Sequence, residues 1–581
     1  MYLTAISNEE NESVCQSLRK RALQESAIMC SRFYANIIFS LIIFTLIYED
    51  VLANHQHKTI RLKDGEIRGR QRTTIDKGKL YYSFQGIPYA KPPVGDLRFA
   101  HPRPPTKWNH VLDATKPGKT CIEMYYESRG SEDCLYLNVF TPNLDKSLPV
   151  IVWIHGGSFA VIYTNNTLSG VDFFIDEELV FVTVHYRLGP FGFLSTEDDV
   201  IPGNFGLKDQ VMAVQWVHQN IEKFGGDPKK IVLMGESSGA VATAFLGMIP
   251  QLKGKIAGVI QQSGTAISEF SLGRYHRLGA YILSTKLGLQ TQNTTAMLEY
   301  LRKANVEDIR KNAVTTHIDV SYGVGVFHGA VFIPCLEAKT NKDPLLTEMP
   351  YEQLKHGYFN KVPRLIGINS LEGMFLINEF QTNTKYYENY DQMVKRFIPA
   401  SMNTRNEEVG HFIKKHYTNG TLFTSNVTNM VHYGTDEHFV RPIIKDASLV
   451  SEYATTYLYE FSYQGKLGYS GDRPLDGVDH GEDLRYFFYD KNEGVVSEKD
   501  KLMRRKLVRL WSNFAKYGNP THKKEDLLDN QIWSSINPQK DDIDYMNIGS
   551  KLTPSVNPHR VNVEFWDNLF AKYGNPPYDV Y

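Results

Sequence analysis

The sequence predicts one large α/β unit, built on a mostly parallel sheet with helices on both faces. Three observations predict it. Short apolar runs rich in β-branched and aromatic residues recur along the chain, a stretch of helical period lies between two of them, and no long Pro/Ser-rich linker divides the 581 residues. Strands buried on both faces read as such continuous apolar runs, which is the pattern of a parallel sheet.

The runs are Val150–Ile154 (VIVWI), Leu179–Val184 (LVFVTV), Ile231–Met234 (IVLM), Val362–Ile368 (VPRLIGI) and Thr456–Tyr463 (TYLYEFSY), each bounded by Gly, Pro or polar turns. Between the second and third, Leu207–Gly226 carries Val211, Val214, Trp216, Val217 and Ile221 near the helical period, and Gly225-Gly226 supplies a stop. The heptapeptide FAKYGNP occurs twice, at Phe514–Pro520 and Phe570–Pro576. Each copy reads as a helix end, with Gly in the left-handed cap position and Pro blocking continuation.

The N-terminus has a different character. Ile37–Tyr48 (IIFSLIIFTLIY) is apolar but too short to span a bilayer comfortably. Arg32 precedes it, Arg19, Lys20 and Arg21 lie further back, and Val51-Leu52-Ala53 offers small residues for cleavage. Together these are the parts of a secretory signal peptide, with a membrane anchor or a core helix as the competing reading. Met29 stands at a natural starting distance. Residues 1–53 are therefore expected to be an N-terminal extension plus signal (the signal at 29–53), with a mature chain starting near Asn54. The final residues PPYDVY form no apolar tail for an anchor.

Composition narrows the partners. The chain is 42% hydrophobic and 22% charged, with a formal net charge of −1, so no basic field exists to hold nucleic acid. Of five cysteines, Cys15 and Cys30 fall in the part expected to be lost. In an oxidising compartment Cys121 and Cys134 are close enough to close a small loop, leaving Cys335 over. Sequons at Asn165, Asn293, Asn419 and Asn426 agree with export.

The chemistry-bearing residues follow the predicted strands. Gly235-Glu-Ser-Ser-Gly239 comes directly after IVLM and before the helix-like AVATAFLGMI. That is the strand–turn–helix setting of a nucleophile elbow, in which glycines permit a strained turn that lifts one hydroxyl out of the backbone; by position the nucleophile is Ser237. A serine hydroxyl needs a base, and the base needs an orienting acid. Glu372 follows the strand ending at Ile368, and His480 lies in a Gly/Asp-rich loop after the strand ending near Tyr463. The order Ser, acid, His is the one this fold class uses, and both loops fall where catalytic groups collect in open parallel sheets. His155-Gly-Gly-Ser-Phe159 directly follows VIVWI, and its glycines let backbone N–H groups approach a developing oxyanion. Because the base must be neutral imidazole, activity is expected to fall below about pH 6.5.

With these motifs in place the chain resembles the type-B carboxylesterase family, the cholinesterase-like branch of α/β-hydrolases, over nearly the whole mature chain. Phe84–Phe99 (FQGIPYAKPPVGDLRF), Ser131–Pro142 (SEDCLYLNVFTP), Tyr186–Ser195 (YRLGPFGFLS), Asn204–Gln210 (NFGLKDQ) and Phe224–Pro228 (FGGDP) are similar to family blocks. The resemblance implies an α/β-hydrolase domain over 54–581, with Ser237 as nucleophile, His480 as general base then acid, and Glu372 as orienting carboxylate. It also implies that the N–H groups of Gly157, Ser158 and Ser238 form the oxyanion hole, that Cys121 and Cys134 form a disulfide, and that no metal or organic cofactor takes part. The expected partner is a small-molecule ester.

Several departures from the pattern bear on substrate. Ser158 stands where many members have glycine and Ser238 where most have alanine, both expected to bring polar side chains beside the acyl group. His185 replaces a usual Asn, and a second disulfide common in the family is absent. The loop Cys121–Cys134 is short and lacks the tryptophan with which cholinesterases grip a choline cation, which disfavours acetylcholine. Glu236 stands where juvenile-hormone esterases usually carry Gln. The reading is a secreted serine carboxylesterase working through an acyl-enzyme. The alternatives are a slow esterase that sequesters esters and a non-catalytic cholinesterase-like binding protein, which the intact triad argues against.

Overall fold

The computed structural model describes residues 12–29, 31, 57–162, 170–324, 330–469 and 473–581. The chain divides into two units, Met1–Lys58 and Thr59–Tyr581. In the first, residues 12–29 form a helix that is exposed along its length. The apolar run Ile37–Tyr48, the cleavage region, Cys30 and Asn165 lie outside the described residues. No helix among the described residues is long and apolar enough to cross a membrane.

The second unit is organised by one sheet, whose first strand starts two residues ahead of it. Its strands are β1 (His57–Arg61), β2 (Glu66–Thr73), β3 (Leu80–Pro88), β4 (Val111–Asp113), β5 (Tyr136–Thr141), β6 (Leu148–Ile154) and β7 (Val180–Val184), then β8 (Gly226–Glu236), β9 (Gly258–Gln262), β10 (Arg364–Asn369), β11 (Thr456–Phe461), β12 (Asp544–Ile548) and β13 (Leu552–Val556). The order across the sheet is β1-β2-β3-β5-β7-β6-β8-β9-β10-β11-β12-β13, with β4 paired to β2. From β7 to β12 every pairing is parallel. The flanks turn antiparallel, β2 with β3, β3 with β5 and β5 with β7 at one side and β12 with β13 at the other. All five predicted strands lie in the parallel part.

The central strands carry continuous apolar stretches because each faces two cores. Along β6, Val150, Val152 and Ile154 enter one cluster while Ile151 and Trp153 enter the other. β8 repeats the division, with Ile231 and Leu233 on one face and Val232 and Met234 on the opposite one. This is the two-residue period of a strand, used on both sides.

The predicted helix is observed as Phe205–Asn220, tightened into a short 3-10 turn, Ile221–Phe224. Gly225 ends it at φ 73°, and Gly226 already opens β8. The two FAKYGNP copies behave differently. Gly518 caps the helix Glu498–Tyr517 at φ 65°, as expected. Gly574, after the helix Arg560–Tyr573, takes an extended φ of −73° instead. A Cβ there would sit 2.3 Å from the Tyr578 hydroxyl, so packing rather than a left-handed turn makes this glycine necessary.

Sheet order also places the candidate site. From β6 the chain steps to β7 on one side and returns to β8 on the other, so the loops after β6 and β8 leave neighbouring strand ends in opposite directions. A crevice opens at the carboxyl ends of strands at such a switch point.

Candidate active site

The turn after β8 is built by close contact. Ser237 sits at φ 57°, ψ −128°, a strained backbone for a residue with a side chain, of a kind that costs about 1–3 kcal/mol. The surroundings hold it there. The Ser237 N–H donates to the Gln262 carbonyl at 2.8 Å and the Val241 N–H donates to the Ser237 carbonyl at 3.0 Å. Both glycines of the turn are closely approached by backbone: a Cβ on Gly235 would lie 2.3 Å from the Gly239 carbonyl oxygen, and one on Gly239 would lie 2.2 Å from that of Ile154. The helix Ser238–Met248 starts at once, and Ser237 itself is half-buried.

The loop after β6 lies against this turn. Gly157, Ser158 and Phe159 all have positive φ, at 116°, 56° and 57°. The Gly157 carbonyl accepts from Ala160 and Val161, both at 2.9 Å, which closes the turn. A Cβ on Gly156 would lie 3.1 Å from the Ser237 Cβ, so the glycine permits this approach. Ser158 is exposed, but Ser238 is fully buried, and its Oγ accepts from the Phe159 N–H at 3.2 Å. The expectation that both serines border the acyl group is therefore corrected for Ser238, whose hydroxyl points into the packing between the two loops.

Glu372 begins a short 3-10 turn, Glu372–Leu376, three residues beyond the end of β10, and is fully buried. One carboxylate oxygen accepts from the Ser263 hydroxyl and from the Asn369 N–H at 2.6 Å. The other meets His480 Nδ1 at 2.7 Å. The His480 loop is held by a bidentate pair between Arg473 and Glu482 at 2.6 and 2.7 Å, while Glu482 also accepts from the Asp479 N–H. The rings of Phe439 and Phe375 pack on the imidazole, with centroids 4.7 and 5.1 Å away. Phe439 belongs to a π-helical turn, Asp436–Val440.

A residue not assigned from sequence completes the cluster. Glu236, next to Ser237, places its carboxylate 3.3 Å from His480 Nε2, the ring nitrogen opposite the one held by Glu372. Burial pushes Glu236 up to about 8 against the opposing pull of His480. Burial alone would lower the His480 pKa, but the charge of Glu236 and the bond to Glu372 outweigh it and hold the imidazole at about 9. Asp479 is raised to about 7 and Asp483 to about 6, each chiefly by burial. The sequence did carry a signal for Glu236, a carboxylate beside the elbow serine. Nothing local announced that His480 would lie against it.

The remaining predicted residues are placed as follows. Cys121 and Cys134 form a disulfide, and Cys335 is a buried free thiol that burial pushes up to about 12. Asn293, Asn419 and Asn426 are all exposed at helix ends. His185 is buried with Nδ1 3.1 Å from the Lys119 carbonyl. Among the described residues no group of His, Cys, Asp and Glu has the spacing to hold a metal ion.

Comparison with known proteins agrees with this architecture. The Carboxylesterase family's sequence profile matches residues 56–566. The chain is 31% identical over 552 residues to Juvenile hormone esterase of Tribolium castaneum, spanning 88% of this chain and 91% of that one. It is 30% identical over 532 residues to Venom carboxylesterase-6 of Apis mellifera, spanning 87% and 93%. Among solved structures, Juvenile Hormone Esterase from Manduca sexta, with OTFP covalently attached, superposes with a TM-score of 0.77 at 26% identity, covering 89% of this chain and all of the other. The chain belongs to the carboxylesterase family and is a carboxylic ester hydrolase of the α/β-hydrolase fold.

Proposed function

We propose that the protein is a secreted serine carboxylesterase in which Ser237, His480 and Glu372 form the catalytic triad. The observation that carries this reading is the 2.7 Å contact between His480 Nδ1 and the fully buried Glu372, with Glu236, the residue before the strained Ser237, 3.3 Å from His480 Nε2. Glu372 fixes the imidazole tautomer, so that Nε2 is left to take the Ser237 proton as the hydroxyl attacks the ester carbonyl. The alcohol leaves with that proton, and water, deprotonated by the same nitrogen, hydrolyses the acyl-enzyme. The N–H groups of Gly157, Ser158 and Ser238 stabilise the oxyanion, and the positive-φ run that turns the loop at Gly157 and Ser158 supports this role. The substrate is a small carboxylic ester without a choline cation, because the Cys121–Cys134 loop carries Tyr125 and Tyr126 and no tryptophan.

Export rests on the apolar run and cleavage region before Asn54, on the disulfide and on the exposed asparagines of three sequons. Edman sequencing of secreted protein is expected to begin near Asn54. The decisive test is hydrolysis of a short-chain nitrophenyl or naphthyl ester by wild type and Ser237→Ala, each also treated with an organophosphate and mapped by mass spectrometry. Turnover lost in the variant and label on Ser237 are expected. Well-folded wild type with neither turnover nor label would move the assignment to a binding protein, and a stoichiometric burst with little turnover to a sequestering one.

A further inference from the structure

The buried hydroxyl of Ser238 has no part in the triad, yet it touches the loop proposed to hold the oxyanion. Ser238 Oγ accepts from the Phe159 N–H at 3.2 Å. At the other end of that loop the phenol of Tyr186 donates to the His155 carbonyl at 2.7 Å. The Tyr186 ring stacks on the His155 imidazole with centroids 4.5 Å apart. Ser238 and Tyr186 are fully buried and His155 is 1% exposed, so water does not compete for these bonds.

Two contacts therefore hold the loop His155–Phe159 at its two ends, Ser238 of the turn after β8 at Phe159 and Tyr186 of the segment after β7 at His155. That loop needs holding. Ser158 and Phe159 are successive non-glycine residues at φ 56° and 57°, a conformation that L-residues leave when nothing restrains them. Phe159 is fixed on its other side too, where its carbonyl accepts from the Gly189 N–H at 2.7 Å and its ring packs 4.9 Å from Phe193.

We infer that Ser238 is a positioning residue: with Tyr186 it staples the oxyanion loop to the nucleophile turn and sets the direction of the Gly157 and Ser158 amides. An oxyanion hole stabilises charge only if its donors are aimed before the charge develops, so a loosened staple weakens transition-state binding while leaving ground-state binding alone. This inference rests on the acyl-transfer reading above.

The test compares wild type, Ser238→Ala and Tyr186→Phe, with a nitrophenyl ester as substrate and a trifluoromethyl ketone as a mimic of the tetrahedral intermediate. Ser238→Ala is expected to lower kcat about tenfold, less than the loss from removing a donor outright, with KM within about twofold. Affinity for the ketone is expected to fall by the same factor as kcat. Tyr186→Phe is expected to show the same split with a smaller amplitude, and faster amide hydrogen exchange over residues 155–161. If wild type turns over and both variants match it, or if kcat falls with no matching loss of ketone affinity, the staple is wrong and the triad stands. If wild type itself neither turns over nor labels at Ser237, the acyl-transfer reading fails and takes the staple with it.

Discussion

The Ser237 turn and the His480 loop are both proposed to serve one reaction, but they are held by different physics. Around Ser237 the constraint is steric: Gly156, Gly235 and Gly239 each lie where a Cβ would come within 3 Å of backbone. Around His480 it is electrostatic, with Glu236 and Glu372 on opposite ring nitrogens and the half-buried Arg473 paired with the buried Glu482 to secure the loop. Steric constraint is local and tolerates no substitution. Electrostatic constraint comes from three separate stretches of chain and can be tuned. The comparison sets how each region should break.

The largest effect belongs to the contact where the two regimes meet their common base. Glu372→Gln preserves shape, but an amide facing His480 Nδ1 stabilises the wrong tautomer. A loss of about 10³–10⁴ in kcat is expected with a thermal midpoint close to wild type, since an orienting carboxylate is worth that much when its geometry stays intact. Unchanged turnover would show that Glu372 orients nothing.

Gly239→Ala should fail by a different route. Its new methyl would sit 2.2 Å from the Ile154 carbonyl oxygen, at the end of the central strand β6, where neither side can yield. We expect a destabilisation of about 3 kcal/mol or failure to accumulate, read by thermal or urea unfolding. A stable, active variant would mean that the elbow is less tightly built than these distances require.

This difference also explains what the sequence revealed. The Ser237 turn was legible because steric necessity writes itself as glycines at fixed spacing beside an apolar strand. Glu372 and His480 were legible through chain order and through the strands before them. Glu236 as a neighbour of His480, Ser263 as a donor to Glu372, and Phe439 on the imidazole were not, because each joins residues far apart in sequence. β9 escaped notice for a related reason. Its last residues, Gln261 and Gln262, read as polar, yet both are buried and engaged, Gln261 with Arg364 and Asp446, and Gln262 with Asp483 and Trp511. The outer strands β1 to β3, β12 and β13 have mixed exposure and offered no continuous apolar run.

Within the electrostatic region the outer support should matter less than the inner contact. Arg473→Ala removes the bidentate partner of Glu482, leaving a nearly buried carboxylate without its cation. Destabilisation of about 1–3 kcal/mol follows from that orphaned charge, with kcat reduced about tenfold as the His480 loop loosens. Arg473→Lys should recover stability only in part, since an ammonium cannot form the two-pronged contact.

The smallest effect on rate is the most informative about charge. A carboxylate beside His480 Nε2 favours the imidazolium, so Glu236 raises the imidazole pKa, whereas catalysis needs the neutral ring. The acid limb of kcat/KM should therefore lie above the ordinary imidazole range, higher than the value of about 6.5 expected from sequence alone. Glu236→Gln removes the charge and keeps the shape. The limb should then move to lower pH, while plateau activity changes only a few-fold, because neither the nucleophile nor its orienting acid is altered. A limb that stays in place would mean that Glu236 is already protonated over the working range, consistent with burial raising its own pKa to about 8. In that case the proton on Glu236 would reach toward Nε2 in the resting enzyme and would have to turn away before Ser237 could give up its own.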